Sequence, residues 1–410
     1  MNTVKKIYCR TFQSILKAAL PVLPYKKPQI VSGVETLPGL LIHCGCDHVL
    51  IVTDAGIRAL GLTDSLEKAL QDHEIAYTIY DKTVANPTTD NVEEARSLYL
   101  QKGCDVIIGF GGGSSMDCAK AVGARIAKPR QSLNQMKGIL KVHRRLPLLI
   151  AVPTTAGTGS ETTLASVITD SKTRRKYAIN DFPLIPKYAV LDPELTLGLP
   201  PFITATTGMD ALTHAVEAYI GRSTTRDTRR AALMAVKLIF ANLDTAYTDG
   251  KNIKARRNML MASFQAGYAF SKSYVGYVHA VAHTLGGEYG VPHGLANSVL
   301  LPFVLEAYGP VIYKKLHCLA IAAGIADRNT PCEEAARRFI DAVKDMKKRF
   351  GIGDTIPEIR REDIPKLAGY ADKEANPLYP VPVLMDRREL EQFYDLIMPD
   401  TSPAPPDSRE

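Results

Sequence analysis

Between residues 30 and about 195, short apolar runs alternate with stretches of helical period. HVLIVTD (48–54), CDVIIGFGGG (104–113) and PLLIAVPTT (147–155) are strand-length and almost continuously apolar, as expected of strands covered on both faces. TDSLEKALQDHE (63–74) and TDNVEEARSLYLQKG (89–103) lie between them and repeat their apolar residues every three to four positions. This rhythm predicts βα units around a mostly parallel sheet. After LDPELTLGLPP (191–201) the texture changes, and DTRRAALMAVKLIFANL (227–243) and EEAARRFIDAVKDMKKRF (333–350) keep a 3.6-residue period with few strand-like runs. The pattern predicts an α/β domain over residues 1–198 and an all-helical domain over 199–400, divided near Gly198–Pro201. The last ten residues, TSPAPPDSRE (401–410), are polar and Pro-rich and are expected to be a disordered tail. No internal repeat is visible.

A chain of 410 residues suits two domains of ordinary size, and 46% hydrophobic with 23% charged residues is a globular balance. The formal charge is +7, but lysine and arginine are scattered, so a nucleic-acid partner is not expected. Seven cysteines form no CxxC pair, which fits a reducing cytoplasm better than a disulfide framework. No apolar run approaches the roughly 20 residues that span a bilayer. One local departure is the N-terminal stretch, where residues 1–34 contain no acid but do contain Lys5, Lys6, Arg10, Lys17, Lys26 and Lys27. Transit peptides and membrane-surface helices share that bias, although transit peptides are richer in arginine. The reading adopted is a helix packed on its own protein with Ile7, Phe12, Ile15 and Leu16 facing inward, and with it no membrane partner.

Two loops bear on chemistry. GFGGGSSMDCAKAVGARIA (109–127) leaves an apolar strand and enters a helix, so bare backbone and a helix N-terminus are offered to a phosphate. It is not the GxGxxG order of a Rossmann fingerprint, and many glycine-rich βα turns bind nothing. PTTAGTGSE (153–161) follows a second strand and carries Thr154, Thr155, Thr158 and Ser160, hydroxyls suited to phosphate or ribose oxygens or simply to capping the next turn. Such loops at the carboxyl ends of parallel strands line the crevice where doubly wound folds bind ligands. Asp54 ends the strand HVLIVTD; it can accept from ribose hydroxyls and repel a 2′-phosphate, favouring NAD over NADP, or it can serve equally as a helix N-cap.

The histidines are concentrated. Three of the chain's nine fall in HAVAHTLGGEYGVPHG (279–294), whose glycines and proline are expected to break the helix before His293. Upstream, TGMDALTHAVEAY (207–219) places Asp210 and His214 four apart on one helical face. With His279 and His293 they offer one carboxylate and three imidazoles, a set that suits Fe(II) or Zn(II) and leaves a position for a substrate oxygen. Asp210 can also be read as a first-turn acid on the helix dipole, and a lone histidine is more often a hydrogen-bonded residue than a ligand. HAVAH lacks the glutamate of HExxH, which disfavours peptide hydrolysis.

At these residues the sequence resembles the iron-dependent (group III) alcohol dehydrogenases, the family that includes lactaldehyde reductase and several butanol dehydrogenases. The resemblance runs from about residue 28 to at least 310, on NPT (86–88), GGGSSMDCAKA (111–121), PTTAGTGSE (153–161), GMDALTHAVEAY (208–219) and the histidine-rich stretch. It implies metal ligands at Asp210, His214, His279 and His293, and an additional histidine, His283, between nicotinamide and substrate. It places dinucleotide contacts at Asp54, Asn86, Gly112, Gly113, Ser114, Asp117, Thr154, Thr155, Thr158 and Lys176, and Phe270 near the substrate pocket.

The expected activity is interconversion of a small primary alcohol and its aldehyde, with hydride passed to or from NAD and Fe(II), or Zn(II), on the oxygen. His283 is the expected proton shuttle. A rival is a metal- and NAD-using lyase of the dehydroquinate synthase type, and another is polyol oxidation like that of glycerol dehydrogenases. The lyase would call for Lys and Arg near the metal, whereas YVHAVAH and VPHGLAN are apolar. A cytoplasmic homodimer is expected.

Overall fold

The structure is a computed structural model describing residues 1–399; the segment expected to be disordered, 401–410, lies outside the described residues. Among the described residues there are nine strands: β1 (Gln29–Val31), β2 (His48–Val52), β3 (Ala76–Tyr80), β4 (Val106–Gly111), β5 (Gly138–Ile139), β6 (Leu148–Pro153), β7 (Ala165–Thr169), β8 (Lys176–Asn180) and β9 (Tyr188–Val190). Six form one sheet in the order β1-β9-β6-β4-β2-β3, every pair parallel. A small second sheet, β5-β8-β7, joins β7 to β8 antiparallel. The three apolar runs picked out in the sequence are β2, β4 and β6, the middle of the large sheet, with Leu50, Ile51, Ile107, Ile108 and Ile150 fully buried.

Around these strands lie α1 (Thr3–Ala19), α2 (Leu37–Cys44), α3 (Ala55–Ala59), α4 (Asp64–Asp72), α5 (Thr89–Lys102), α6 (Gly113–Ala127) and α7 (Leu133–Met136). From residue 201 on, the described residues form only helices: α8 (Pro201–Ile220), α9 (Arg226–Thr248), α10 (Ile253–Ser273), α11 (Tyr277–Glu288), α12 (His293–Tyr308), α13 (Pro310–Ala323), α14 (Cys332–Arg349), α15 (Ile364–Ala375) and α16 (Arg387–Ile397), apart from one short 3₁₀ turn. Helix α8 is the axis of this half: it packs against α9, α10 and α12, and almost every side chain from Thr204 to Ile220 is buried.

Register brings the two loops together. Gly111 pairs with Pro153 at the carboxyl ends of β4 and β6. The Thr154 N–H then donates to the Gly111 carbonyl (3.1 Å). Strand β2, with Asp54 just beyond it, lies on the other side of β4, where the strand order reverses direction. Both loops therefore open at a topological switch point.

The expected break before His293 is present: helix α11 runs through Gly286 and Gly287 to Glu288, and the chain turns at Tyr289–Pro292. Two interior glycines cost about 1 kcal/mol each against alanine, and the buried side from Tyr277 to Leu285 outweighs that. Two expectations need correction. Asp210 is mid-helix, since α8 starts nine residues earlier with Pro201 at its first position, so the dipole explanation for its carboxylate falls away. The second concerns α1, which does pack on the protein, but by a different face. Cys9 and Gln13 are buried, Leu16 is half-buried, and Ile7 and Ile15 point outward with Phe12 at the margin. The segment beneath α1 presents free backbone carbonyls that require donors. Gln13 Nε2 supplies one to Tyr379 O (2.7 Å), and Arg10 reaches Val381 O (2.7 Å) and Pro382 O (2.8 Å).

Candidate metal and dinucleotide site

Asp210 and His214 project from α8, His279 from α11, and His293 from the first turn of α12. Their four ligand-type atoms lie within 4.8 Å of one another. The close fit of α12 on α8 needs Gly294, where a Cβ would lie 2.5 Å from the Thr206 carbonyl oxygen. His214 is stacked between Phe270 (centroids 4.1 Å apart) and His279 (4.5 Å), which fixes both imidazole planes.

The residues fit a divalent metal. The buried Nδ1 of His214 has no hydrogen-bond partner and lies 3.9 Å from Asp210 Oδ1. Burial lowers the pKa of His214, drives that of His279 well down with help from neighbouring imidazoles, and pushes His293 to about 4. All three imidazoles are thus neutral at pH 7, the form that binds metal.

Three supporting residues were not foreseen in the sequence. Glu217 accepts from His279 Nδ1 (2.6 Å) and from the N–H groups of Gly276 (2.8 Å) and Val278 (2.9 Å), orienting His279 with its Nε2 toward the cluster. It lies three residues after His214 on the same face of α8, so spacing alone could have flagged it. Asn297, fully buried one turn after His293, donates to Asp210 Oδ1 (2.7 Å) and lies 3.1 Å from His293 Nε2 and 3.2 Å from His279 Nε2. Glu374 comes from α15 and meets His283 Nδ1 at 2.6 Å. Nothing in the local sequence signals a partner 91 residues away.

His283 stands beside the cluster, stacked on His293 (centroids 5.2 Å apart, 19° between planes), and is not one of the four grouped donors. Burial disfavours its imidazolium, but the charge and hydrogen bond of Glu374 outweigh this and raise its pKa. Glu374 also accepts from the Tyr379 hydroxyl (2.7 Å), giving a Tyr–Glu–His chain.

The dinucleotide candidates line the crevice of the first domain. Gly112 caps α6 and Gly113 opens it; a Cβ on Gly113 would approach Thr158 Cγ2 to 3.2 Å, so the cradle is shaped by bare backbone. Thr155 Oγ1 is buried without a partner, as expected of a hydroxyl awaiting a ligand oxygen, and Thr154 is buried behind it. The Asn86 N–H donates to Ser114 Oγ (3.2 Å). Asp54 is the N-cap of α3, with Oδ1 accepting from Ile57 N (3.0 Å), and its Oδ2 accepts from Ser115 Oγ (3.2 Å) beside the glycine loop.

Asp117 is tied up within the protein, accepting from Ser160 Oγ (2.9 Å) and Val167 N (3.0 Å). Beneath it the fully buried Lys120 donates to Ser160 O, Ser160 Oγ, Thr163 Oγ1 and Ala165 O, stitching α6 to the threonine loop. Lys176, at the start of β8, is exposed, and its charge is felt by both His283 and His293. The threonine loop seats directly on the helical domain: a Cβ on Gly159 would lie 2.6 Å from Gly267 Cα in α10. The loop that carries the threonine candidates also packs on α8, the helix that carries Asp210 and His214.

Comparison with known proteins accords with this arrangement. Residues 28–193 match the family model for iron-containing alcohol dehydrogenase, and residues 204–398 match that of the C-terminal part of the Fe-containing alcohol dehydrogenase family. The chain belongs to the iron-containing alcohol dehydrogenase family. It is similar to the 1,3-propanediol dehydrogenase of Klebsiella pneumoniae, 39% identical over 87% of this chain and 92% of that protein. The NAD-dependent methanol dehydrogenase of Bacillus methanolicus is 36% identical over 82% of this chain and 88% of its own length. A crystal structure of a 1,3-propanediol oxidoreductase superimposes with a TM-score of 0.87 at 35% identity, covering 91% of this chain and 99% of that one. Membership makes the chain an oxidoreductase using iron and NAD, and the α/β-plus-helical architecture is that of the family.

Proposed function

We propose that this iron-containing alcohol dehydrogenase interconverts a small primary alcohol and its aldehyde with NAD(H), at the junction of an N-terminal domain (1–198) and a helical domain (199–400). The observation that carries the reading is the cluster of Asp210, His214, His279 and His293 within 4.8 Å, set opposite the glycine and threonine loops. Asp210, His214, His279 and His293 would hold Fe(II) or Zn(II), which would supply Lewis acidity, and the loops of the first domain would hold NAD(H), which would supply the hydride chemistry.

The protein's own part is positioning and proton handling. Gly112, Gly113 and Ser114 receive phosphate, Thr154, Thr155 and Thr158 add hydroxyls, and Asn86 and Lys176 complete the seat of the dinucleotide, while Asp117 acts from behind by holding Ser160 and Val167 in place. Asp54 sets a negative charge where a 2′-phosphate would lie, which favours NAD over NADP. Phe270 walls the substrate side of His214. His283 Nε2 takes the alcohol proton and Glu374 holds the resulting imidazolium.

The lyase reading asks for several cations around a phosphate-bearing substrate. The cation felt by both His283 and His293 is one lysine, Lys176, and the matched relatives are dehydrogenases. Seven free cysteines support a reducing cytoplasm. The open edge of β1, with Ile30 exposed, supports pairing with a second copy as a homodimer.

An anaerobic panel of primary alcohols and aldehydes, with NAD(H) and NADP(H) compared on protein loaded with defined metals, tests the proposal. Turnover of a short alcohol with higher kcat/KM for NADH than for NADPH is expected. No turnover of any member by metal-replete protein would overturn it.

A further inference from the structure

Residues 376–386, between α15 and α16, carry Tyr379, and Tyr379 is what holds Glu374 to His283. Its hydroxyl donates to Glu374 Oε1 (2.7 Å), the same oxygen that meets His283 Nδ1 (2.6 Å). Glu374 has no other hydrogen-bond partner among the described residues. A carboxylate with one contact can still turn about its side-chain bonds, and a second contact fixes the direction in which it meets the imidazole. The place of the Tyr379 ring therefore bears on the geometry at His283.

That place is not set by the segment itself. Residues 377–382 read PLYPVP, so three of the six have no N–H, and the stretch forms neither helix nor sheet. Its carbonyls must take donors from elsewhere. Gln13 Nε2 donates to Pro377 O (3.2 Å) and Tyr379 O (2.7 Å), and the Arg10 guanidinium donates to Val381 O (2.7 Å) and Pro382 O (2.8 Å). Arg10 Nη1 also donates to Gln13 Oε1 (2.8 Å), which joins the two side chains and turns the amide nitrogen toward the carbonyls. Nearer its start, α1 is tied to α15 as well: Lys5 pairs with Asp372 (2.7 Å), two residues before Glu374. One helix thus grips both the element that carries Glu374 and the segment that carries Tyr379. It lies ahead of the residues matched to the family, 28–193 and 204–398.

We infer that α1 is a positioning element for the proton route, with Arg10 and Gln13 holding residues 377–382 so that Tyr379 keeps Glu374 against His283. The inference rests on the proposed roles of His283 and Glu374 and extends them to a helix at the far end of the chain. Neither Arg10 nor Gln13 makes a hydrogen bond to a metal-ligand or dinucleotide candidate among the described residues. Removing their donors therefore loosens the carboxylate and leaves nucleotide and metal binding alone, so the loss falls on kcat and not on KM for NAD.

The test measures kcat, KM for NAD and metal content of the full-length, metal-loaded protein on a short primary alcohol, well below the melting temperature of the least stable variant. Gln13→Met and Arg10→Met keep an apolar stem without the donors, and each should lower kcat about tenfold or more with KM for NAD and metal content unchanged. Arg10→Lys keeps a donor for one of the two carbonyls and should recover much of that rate. Tyr379→Phe removes only the hydroxyl and should be slowed comparably; in that background Gln13→Met should cost little more, because both act on one contact. Wild-type kcat in both α1 variants overturns the inference. So do losses that multiply in the Gln13→Met/Tyr379→Phe protein, since α1 then acts by a path other than Tyr379. His283→Ala at the wild-type rate would overturn the proton route as well, whereas a slow His283→Ala beside unimpaired α1 variants removes the role of α1 alone.

Discussion

Glu217 fixes the tautomer of His279, and its own surroundings hold it there: burial pushes its carboxyl up to about 7 while two backbone N–H groups and the imidazole favour the charged form. Glu217→Gln should keep the fold and weaken metal binding about 10- to 100-fold, measured by competition with a chelator; unchanged affinity would remove its orienting role. His283 should behave in the opposite way. His283→Ala is expected to retain metal and to lose about 10²- to 10⁴-fold in kcat, and loss of metal from this variant would make His283 a ligand. Asp54 needs a subtler change than truncation, because it also caps α3. Asp54→Asn keeps an N-cap side chain and removes only the charge, so kcat/KM for NADPH should rise relative to NADH; an unaltered ratio would assign Asp54 to the cap alone.

The threonine loop carries a titratable element of its own. Glu161 is 1% exposed, its Oε2 has no partner, and burial pushes its pKa up to about 7 from an ordinary 4.5. The folded state then keeps a proton that the unfolded chain releases between these values. The contribution to stability is therefore complete below pH 4.5 and is lost as pH rises through about 7. Glu161→Gln should abolish that slope, worth on the order of 1–3 kcal/mol, seen as melting curves of wild type and variant that diverge as pH rises; parallel curves would rule it out. Helices α1 and α11 mark where element-scale reading stopped. Sequence reading expected an N-terminal helix with Ile7, Phe12, Ile15 and Leu16 facing inward, and the structure covers the side of Cys9 and Gln13 instead. Glycine and proline content announced a break before His293 without fixing where it falls, because propensity counts local cost and not the packing of Tyr277–Leu285 that carries α11 on to Glu288.

The two halves make one site only by meeting. The four ligands all come from the helical half, while the threonine loop of the first half rests on α8 and α10, with Gly157 against Thr207 and Gly159 against Gly267. Three imidazoles and a carboxylate bind Zn(II) more tightly than Fe(II) and impose little geometric choice. Protein purified in air should accordingly carry zinc or be partly empty, with low activity, and anaerobic Fe(II) loading should raise turnover that then decays in air. Elemental analysis beside kcat checks this, and full activity with zinc that iron does not improve would take iron out of the mechanism. The sequence by itself determined the alternation of βα units, the change to helical texture after residue 200, the two ligand loops and the four metal donors. Strand and helix periods, glycine runs and the Asp210–His214 pair are local, set by residues close along the chain, whereas the joining of that pair to His279 and His293 came from the resemblance and is made in space by α8, α11 and α12. Tertiary structure alone decided that Glu374 serves His283, that Asp117 ties α6 to β7, and that the apolar face of α1 stays uncovered. Each depends on surfaces supplied by residues 50 to 370 positions away, and the periodicity of a segment says that it has an apolar face without saying what will lie against it.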